Sequence, residues 1–70
     1  MKQDWVKVFD SQESLKISIA KAKLDEHNIE NVILNKKDSA YVVIGLSELY
    51  VPEDQARKAI QILENARVDS

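Results

Sequence analysis

A chain with no cysteine and a single histidine, His27, cannot staple itself with disulfides or build a structural metal site from the usual thiolate and imidazole ligands. At 70 residues that is a severe restriction. A domain of this size hides only about 60% of the surface its unfolded chain exposes, so it ordinarily needs a staple, very good packing or a partner chain. Packing and self-association are what remain. The length accommodates one domain, 1–70, and no second core. With 44% apolar and 31% charged residues, the composition is that of a soluble globule. The opening Met1-Lys2-Gln3-Asp4 lacks the apolar run of a secretory signal, and no stretch approaches the ~20 apolar residues of a membrane span. The expected address is the cytoplasm, with no membrane partner. A net charge of -2 supplies no broad positive field, so nucleic acid is not an expected partner either.

Along the chain, Trp5-Val6-Lys7-Val8-Phe9 is aromatic and β-branched around one lysine, which predicts a short strand. Strict alternation places Val6 and Val8 on one face and Trp5, Lys7 and Phe9 on the other. Asp10-Ser11-Gln12-Glu13 has the spacing of a capping box, so a helix is expected to begin near Ser11. In that helix Ile17, Ala20 and Leu24 share one side, and Leu15, Ile19 and Ala22 share roughly the opposite one. Periodicity does not say which set faces the sheet. His27-Asn28 is a suitable close, because asparagine tolerates the left-handed conformation that ends helices.

Val32-Ile33-Leu34 predicts a second strand, and Asn35-Lys36-Lys37-Asp38-Ser39 a polar turn. Tyr41-Val42-Val43-Ile44 reads as an extension of a hairpin, with Gly45 marking a bend. Leu46 to Val51 alternates as a third strand, Leu49 and Val51 on one face, Glu48 and Tyr50 on the other. Pro52 stops it and suits the first turn of a second helix. There Ala56, Ala59, Ile60 and Leu63 form an apolar stripe, and Glu53 with Arg57 and Asp54 with Lys58 have ion-pair spacing. Residues 66–70 are expected to be a frayed tail, with Val68 able to start a stub of strand.

The order strand, helix, strand, strand, helix implies an α+β two-layer ferredoxin-like sandwich. It has a three-stranded antiparallel sheet and both helices on one face. In that topology the first strand lies beside the third, the second strand lies outside the third, and the first strand is left as an open edge.

The segments Leu24 to Ile29 and Asn35 to Ser39, and above all Leu49-Tyr50-Val51-Pro52-Glu53-Asp54 with Ala56, Ala59 and Leu63, resemble the small bacterial family called "putative signal-transducing protein", whose function is unknown. The resemblance runs over roughly the whole chain. It implies a fold like that of the PII nitrogen regulators, which are ferredoxin-like trimers, and it does not imply their activity. A long nucleotide-binding loop of the PII type is not apparent, and Asn28 stands where the family usually closes its first helix with glycine.

Catalytic constellations are not found. His27 sits at a helix end, where it complements the dipole, and the adjacent carboxylates Asp25-Glu26 and Glu53-Asp54 do not face each other on a helix. A single glycine rules out a glycine-rich phosphate loop. The chain is therefore not expected to be an enzyme or to carry a metal or other cofactor. Two surfaces remain as candidates for recognition. Trp5, Lys7, Phe9 and Tyr50, with Ile33 beside them, would lie on the sheet face away from the helices, and exposed aromatics there suit a homo-oligomer or another protein partner. Asn35, Lys36, Lys37 and Ser39 could hold a small anionic ligand through two ammonium groups and a hydroxyl, although a solvated turn is the commoner role for such a run.

Overall fold

In the computed structural model, which describes residues 4–36 and 46–68, the chain runs β1 (Trp5–Ser11), α1 (Ser14–Glu26), β2 (Val32–Lys36), β3 (Leu46–Pro52) and α2 (Ala56–Ala66). A 3-10 turn over Glu53–Gln55 leads into α2. The strands form one antiparallel sheet in the order β1-β3-β2. Both helices pack on β1 and β3 and touch each other. This is the expected ferredoxin-like α+β arrangement, with β1 an edge strand among the described residues. The hairpin extension expected over Tyr41–Ile44 and the bend at Gly45 lie outside those residues. The Cα envelope measures 35 × 34 × 14 Å, its short axis spanning one helix layer on one sheet.

The register explains which side chains are inside. Val6 faces Val51 across the β1/β3 pair, and Lys7 faces Tyr50, but the next partner of Leu49 is Phe9, so Val8 is an extra residue. Such a bulge breaks the alternation of its strand and increases its twist. Phe9 consequently shares a face with Leu49, and so does Ile33, its partner on β2. Leu49 and Val51 are fully buried, together with Ala20, Leu24 and Ala59 from the helices. Val8, Phe9 and Ile33 pack against this cluster. Burial of each large side chain contributes about 1.5–3 kcal/mol.

The ends of the helices are set by local hydrogen bonds. α1 begins at Ser14, three residues later than the capping-box spacing suggests, because β1 continues through Asp10 and Ser11. Ser11 Oγ accepts from the Glu13 amide at 2.9 Å, so the hydroxyl closes the turn between strand and helix. At the other end Asn28 adopts φ 59°, and the Asn28 and Ile29 amides donate back to the Asp25 and Leu24 carbonyls. Asn31 then clasps the connection to β2. Its Nδ2 donates to Asp25 Oδ1 at 2.9 Å and to the Ile29 carbonyl, while its Oδ1 accepts from Lys21 Nζ. The amide of Asn31, then the charge of Lys21, holds the Asp25 carboxyl below its ordinary value of 3.8.

Of the two apolar sets on α1, Ile17, Ala20 and Leu24 face the sheet, and Leu15 and Ile19 are exposed. On α2 the stripe is shifted from the one expected. Ala59 and Leu63 are buried, Ile62 and Ala66 pack against the core, and Ile60 stands at the rim with 41% of its surface exposed. Pro52 is the last residue of β3 rather than the first of a helix. The 3-10 turn after it holds Glu53 and Asp54 at a rotation per residue different from that of an α-helix, so the spacing to Arg57 and Lys58 does not bring ion pairs together. The ion pairs among the described residues include Lys7–Asp10, Lys7–Glu48 and Lys21–Asp25.

Arg67, at φ 55°, reverses the chain after α2, and the Val68 amide donates to the Leu63 carbonyl in a Schellman-type close. Val68 is thereby turned into the core with 7% exposure. Within the tail expected over 66–70, residues 66–68 thus belong to the packed domain.

Candidate functional site

The sheet face turned away from the helices carries the residues whose partners alternate with the core positions. Across the three strands one row is Lys7, Tyr50 and Val32, and the next is Asp10, Glu48 and Leu34. Trp5 precedes them at the start of β1, opposite Pro52. Trp5, Val32 and Leu34 are exposed at 40%, 36% and 49%. Trp5, Lys7 and Tyr50 therefore stand together on the face where alternation puts them. Phe9 and Ile33 do not. The bulge at Val8 turns Phe9 under the helices, and Ile33 follows Leu49 through the β2/β3 register. Asp10, Val32, Leu34 and the buried Glu48 take their places.

Between these apolar side chains lies a polar centre. Lys7 Nζ is 2.9 Å from Asp10 Oδ2 and 3.4 Å from Glu48 Oε2. In a regular strand residues three apart point to opposite faces; the extra residue Val8 is what brings Lys7 and Asp10 to the same side. The Tyr50 hydroxyl donates to Glu48 Oε1 at 2.9 Å. Glu48 is buried although it sits on the uncovered face, its carboxylate bonded to Lys7 from β1 and to Tyr50 two residues along its own strand.

The hydrogen bond to Glu48, followed by burial and the carboxylate charge, raises the Tyr50 phenol above its ordinary 10.0. Lys7 is raised above 10.5, chiefly by its hydrogen bond to Asp10. Both shifts favour the protonated group in the folded chain. Their stabilisation is complete below the ordinary values and is lost as pH rises through the folded ones. The phenolate absorbance difference between wild type and Tyr50→Phe should accordingly show Tyr50 ionising above pH 10.0, and Glu48→Gln should bring that transition down. A Tyr50 that ionises at its ordinary value in the wild type contradicts the hydrogen bond.

The second candidate surface is only partly described. Asn35 Oδ1 accepts from the Ser47 hydroxyl at 2.8 Å across the β2/β3 pair, and Lys36 is the last residue of β2. Lys37 and Ser39 lie outside the described residues. His27 is where a helix end would put it, Nδ1 3.0 Å from the Lys23 carbonyl oxygen, and it helps line an open cavity of about 230 Å³ between the ends of α1 and α2. A second cavity of about 140 Å³ lies between β1 and α2, lined by Val8, Phe9, Ile60, Leu63, Glu64 and Val68. Among the described residues no group of His, Asp and Glu side chains could hold a metal ion, and no helix is long and apolar enough to cross a membrane.

Val32-Ile33-Leu34 is an unbroken apolar run, and the only available signal for the exposed pair on β2 was that strand geometry puts Val32 and Leu34 on a common face. It becomes usable only when the register to β3 is known. Asp10 gave no such signal, since its position depends on the bulge.

No curated protein matches this chain. A protein-family comparison matches residues 5–67, from Trp5 at the head of the sheet to the Arg67 turn after α2, and by that match the chain belongs to the family described as "Putative prokaryotic signal transducing protein".

Proposed function

We propose that the chain is a non-catalytic interaction module of this signalling family, which self-associates through its sheet and uses the uncovered face to receive a protein partner. The observation that carries the reading is the contrast between the two faces. One lies beneath both helices; the other bears Trp5, Val32, Leu34 and Tyr50 around a set of charges that already satisfy one another. Sheets with one face in water usually alternate apolar-in and polar-out, and a cluster of aromatic and aliphatic side chains on the outer face is the composition of an interface centre. The ionisable groups there are engaged in holding each other, and His27 is engaged with its own helix, which supports binding rather than catalysis. Native mass spectrometry and sedimentation equilibrium over the micromolar range test the reading. The expected result is a mass above the 8.0 kDa of one chain that grows with concentration. A constant single-chain mass throughout would overturn self-association.

The alternative reading is a sensor of small anions of PII-like type, built on Asn35, Lys36, Lys37 and Ser39. It is tested by thermal shift with a panel of nucleotides and other phosphorylated metabolites. With Asn35 already bonded to Ser47, the expected result is no shift, and a shift abolished by Lys36→Ala with Lys37→Ala would replace the interaction reading with this one.

A further inference from the structure

The outer edge of β1 has no strand beside it among the described residues. The Glu53 amide donates to the Asp4 carbonyl at 2.8 Å, which directs the backbone groups of Asp4 and Val6 towards β3 and leaves those of Trp5 and Lys7 pointing outwards. Edge strands of this kind are templates for pairing unless something blunts them. Bulges and lysines are common blunting devices, and β1 has both. Their arrangement here makes the edge complementary to itself.

We propose that β1 pairs antiparallel with β1 of a second copy, Lys7 opposite Asp10, joining the two sheets into one of six strands. This rests on the reading of the chain as a self-associating module and specifies the contact. The argument is one of register. When a strand pairs with its own copy about a two-fold axis, residues opposite each other must point to the same face. On β1 the uncovered face holds Trp5, Lys7 and Asp10, and the helix face holds Val6, Phe9 and Ser11, with Val8 bulged towards the core. The register that matches faces over nearly the whole strand, bulge included, sets Lys7 opposite Asp10, Val6 opposite Ser11 and Val8 opposite Phe9; other face-matched registers pair only a few residues at one end. The two bulges then face each other, and neither strand has a surplus residue relative to the other. A slip of one residue in either direction sets Lys7 against Phe9 or Ser11, and mixes the faces.

Charge selects the same register. Lys7 and Asp10 are within 2.9 Å of each other in one chain, so the symmetric pair brings a lysine and an aspartate of each copy into an alternating array of four charges. Opposite charges facing one another across strands stabilise pairing, and like charges oppose it. On the helix side, the cavity between β1 and α2 and the exposed Ile60 that overhangs it continue the apolar surface over the edge. Val8 and Phe9 of the second copy would come alongside it.

The absence of native cysteine permits a direct test. Lys7→Cys and Asp10→Cys chains are mixed and treated with a short bifunctional thiol reagent, with Leu34→Cys on the uncovered face as a comparison. In parallel, amide hydrogen exchange of the wild type is followed at Trp5 and Lys7 as concentration rises, which reads the edge without any substitution. The expected result is a mixed product, one Lys7→Cys chain coupled to one Asp10→Cys chain, in excess over either homodimer, together with concentration-dependent protection of the β1 amides. A wild-type oligomer whose β1 amides stay unprotected, with Leu34→Cys self-coupling, would overturn the edge register and leave self-association standing. A single-chain mass at all concentrations would overturn both.

Discussion

Leu49→Ala is expected to lower the stability of the fold by about 3 kcal/mol, within the range of roughly 2–5 kcal/mol for truncating a buried leucine. Leu49 has no exposed surface. It lies on the central strand, between Phe9 on one side and Ile33 on the other, in the same cluster as Leu24, Ala59 and Leu63. With strands fixed to both sides by ladder hydrogen bonds, the site has little freedom to collapse around the missing atoms, which is the condition for a large cavity term. A domain of this length has a total stability of roughly 3.5–10 kcal/mol at the usual value per residue, so the substitution removes about a third of it or more. Urea unfolding should show the midpoint falling by about 3 M at an unchanged slope, given a slope of about 1 kcal/mol/M for a small domain. A loss below about 1 kcal/mol would show that the site repacks and that Leu49 is not the centre of the core.

The second large effect is expected from adding atoms. Ala59→Leu should destabilise by about 1–3 kcal/mol through overpacking, while Ile60→Lys at the next residue should stay within about 0.5 kcal/mol in the monomer. Ala59 has no exposed surface, and its small side chain is what allows α2 to lie close on the sheet. Ile60 points to the rim of the cavity beside β1 and is 41% exposed. Thermal unfolding of the two variants at low concentration measures the contrast. Equal losses would show that α2 is rotated from the orientation described above. Ile60→Lys should also weaken association through the β1 edge, because it sets a charge where apolar surface continues from one copy to the next.

Much of this architecture is written in local patterns. Leu49 and Val51 against Glu48 and Tyr50 follow period two without a break, and β3 keeps that pairing regular against both of its neighbours beyond the one offset on β1. Asn28 ends α1 in the left-handed conformation its side chain tolerates. Ile17, Ala20 and Leu24 are legible as a set, yet only the position of the sheet shows that they, and not Leu15 and Ile19, are covered.

Most of what could not be read depends on the register between strands. Val6-Lys7-Val8 is regular alternation, and nothing in its composition marks Val8 as a surplus residue; the bulge exists only relative to β3. From that single offset follow the burial of Phe9 and the meeting of Lys7 with Asp10. In the same way three successive apolar residues, Val32-Ile33-Leu34, do not say which of them is inside until Leu49 is placed opposite Ile33. The start of α1 was ambiguous for a different reason. Asp10 and Ser11 suit a helix cap as well as a strand end, and the extended pairing of β1 with Glu48 and Ser47 decides between them.

The 14 Å depth of the Cα envelope has a last consequence for what the molecule can bind. A drug-sized ligand is usually engulfed in some ~300–1,000 Å³, whereas the hollows beside β1 and at the helix ends hold about 140 and 230 Å³. A slab so thin has a core one layer of side chains deep, filled by residues such as Leu24, Leu49 and Val51. Among the described residues, recognition therefore has surfaces to work with, and a ligand of that size would need the far wall of its pocket from a neighbouring molecule.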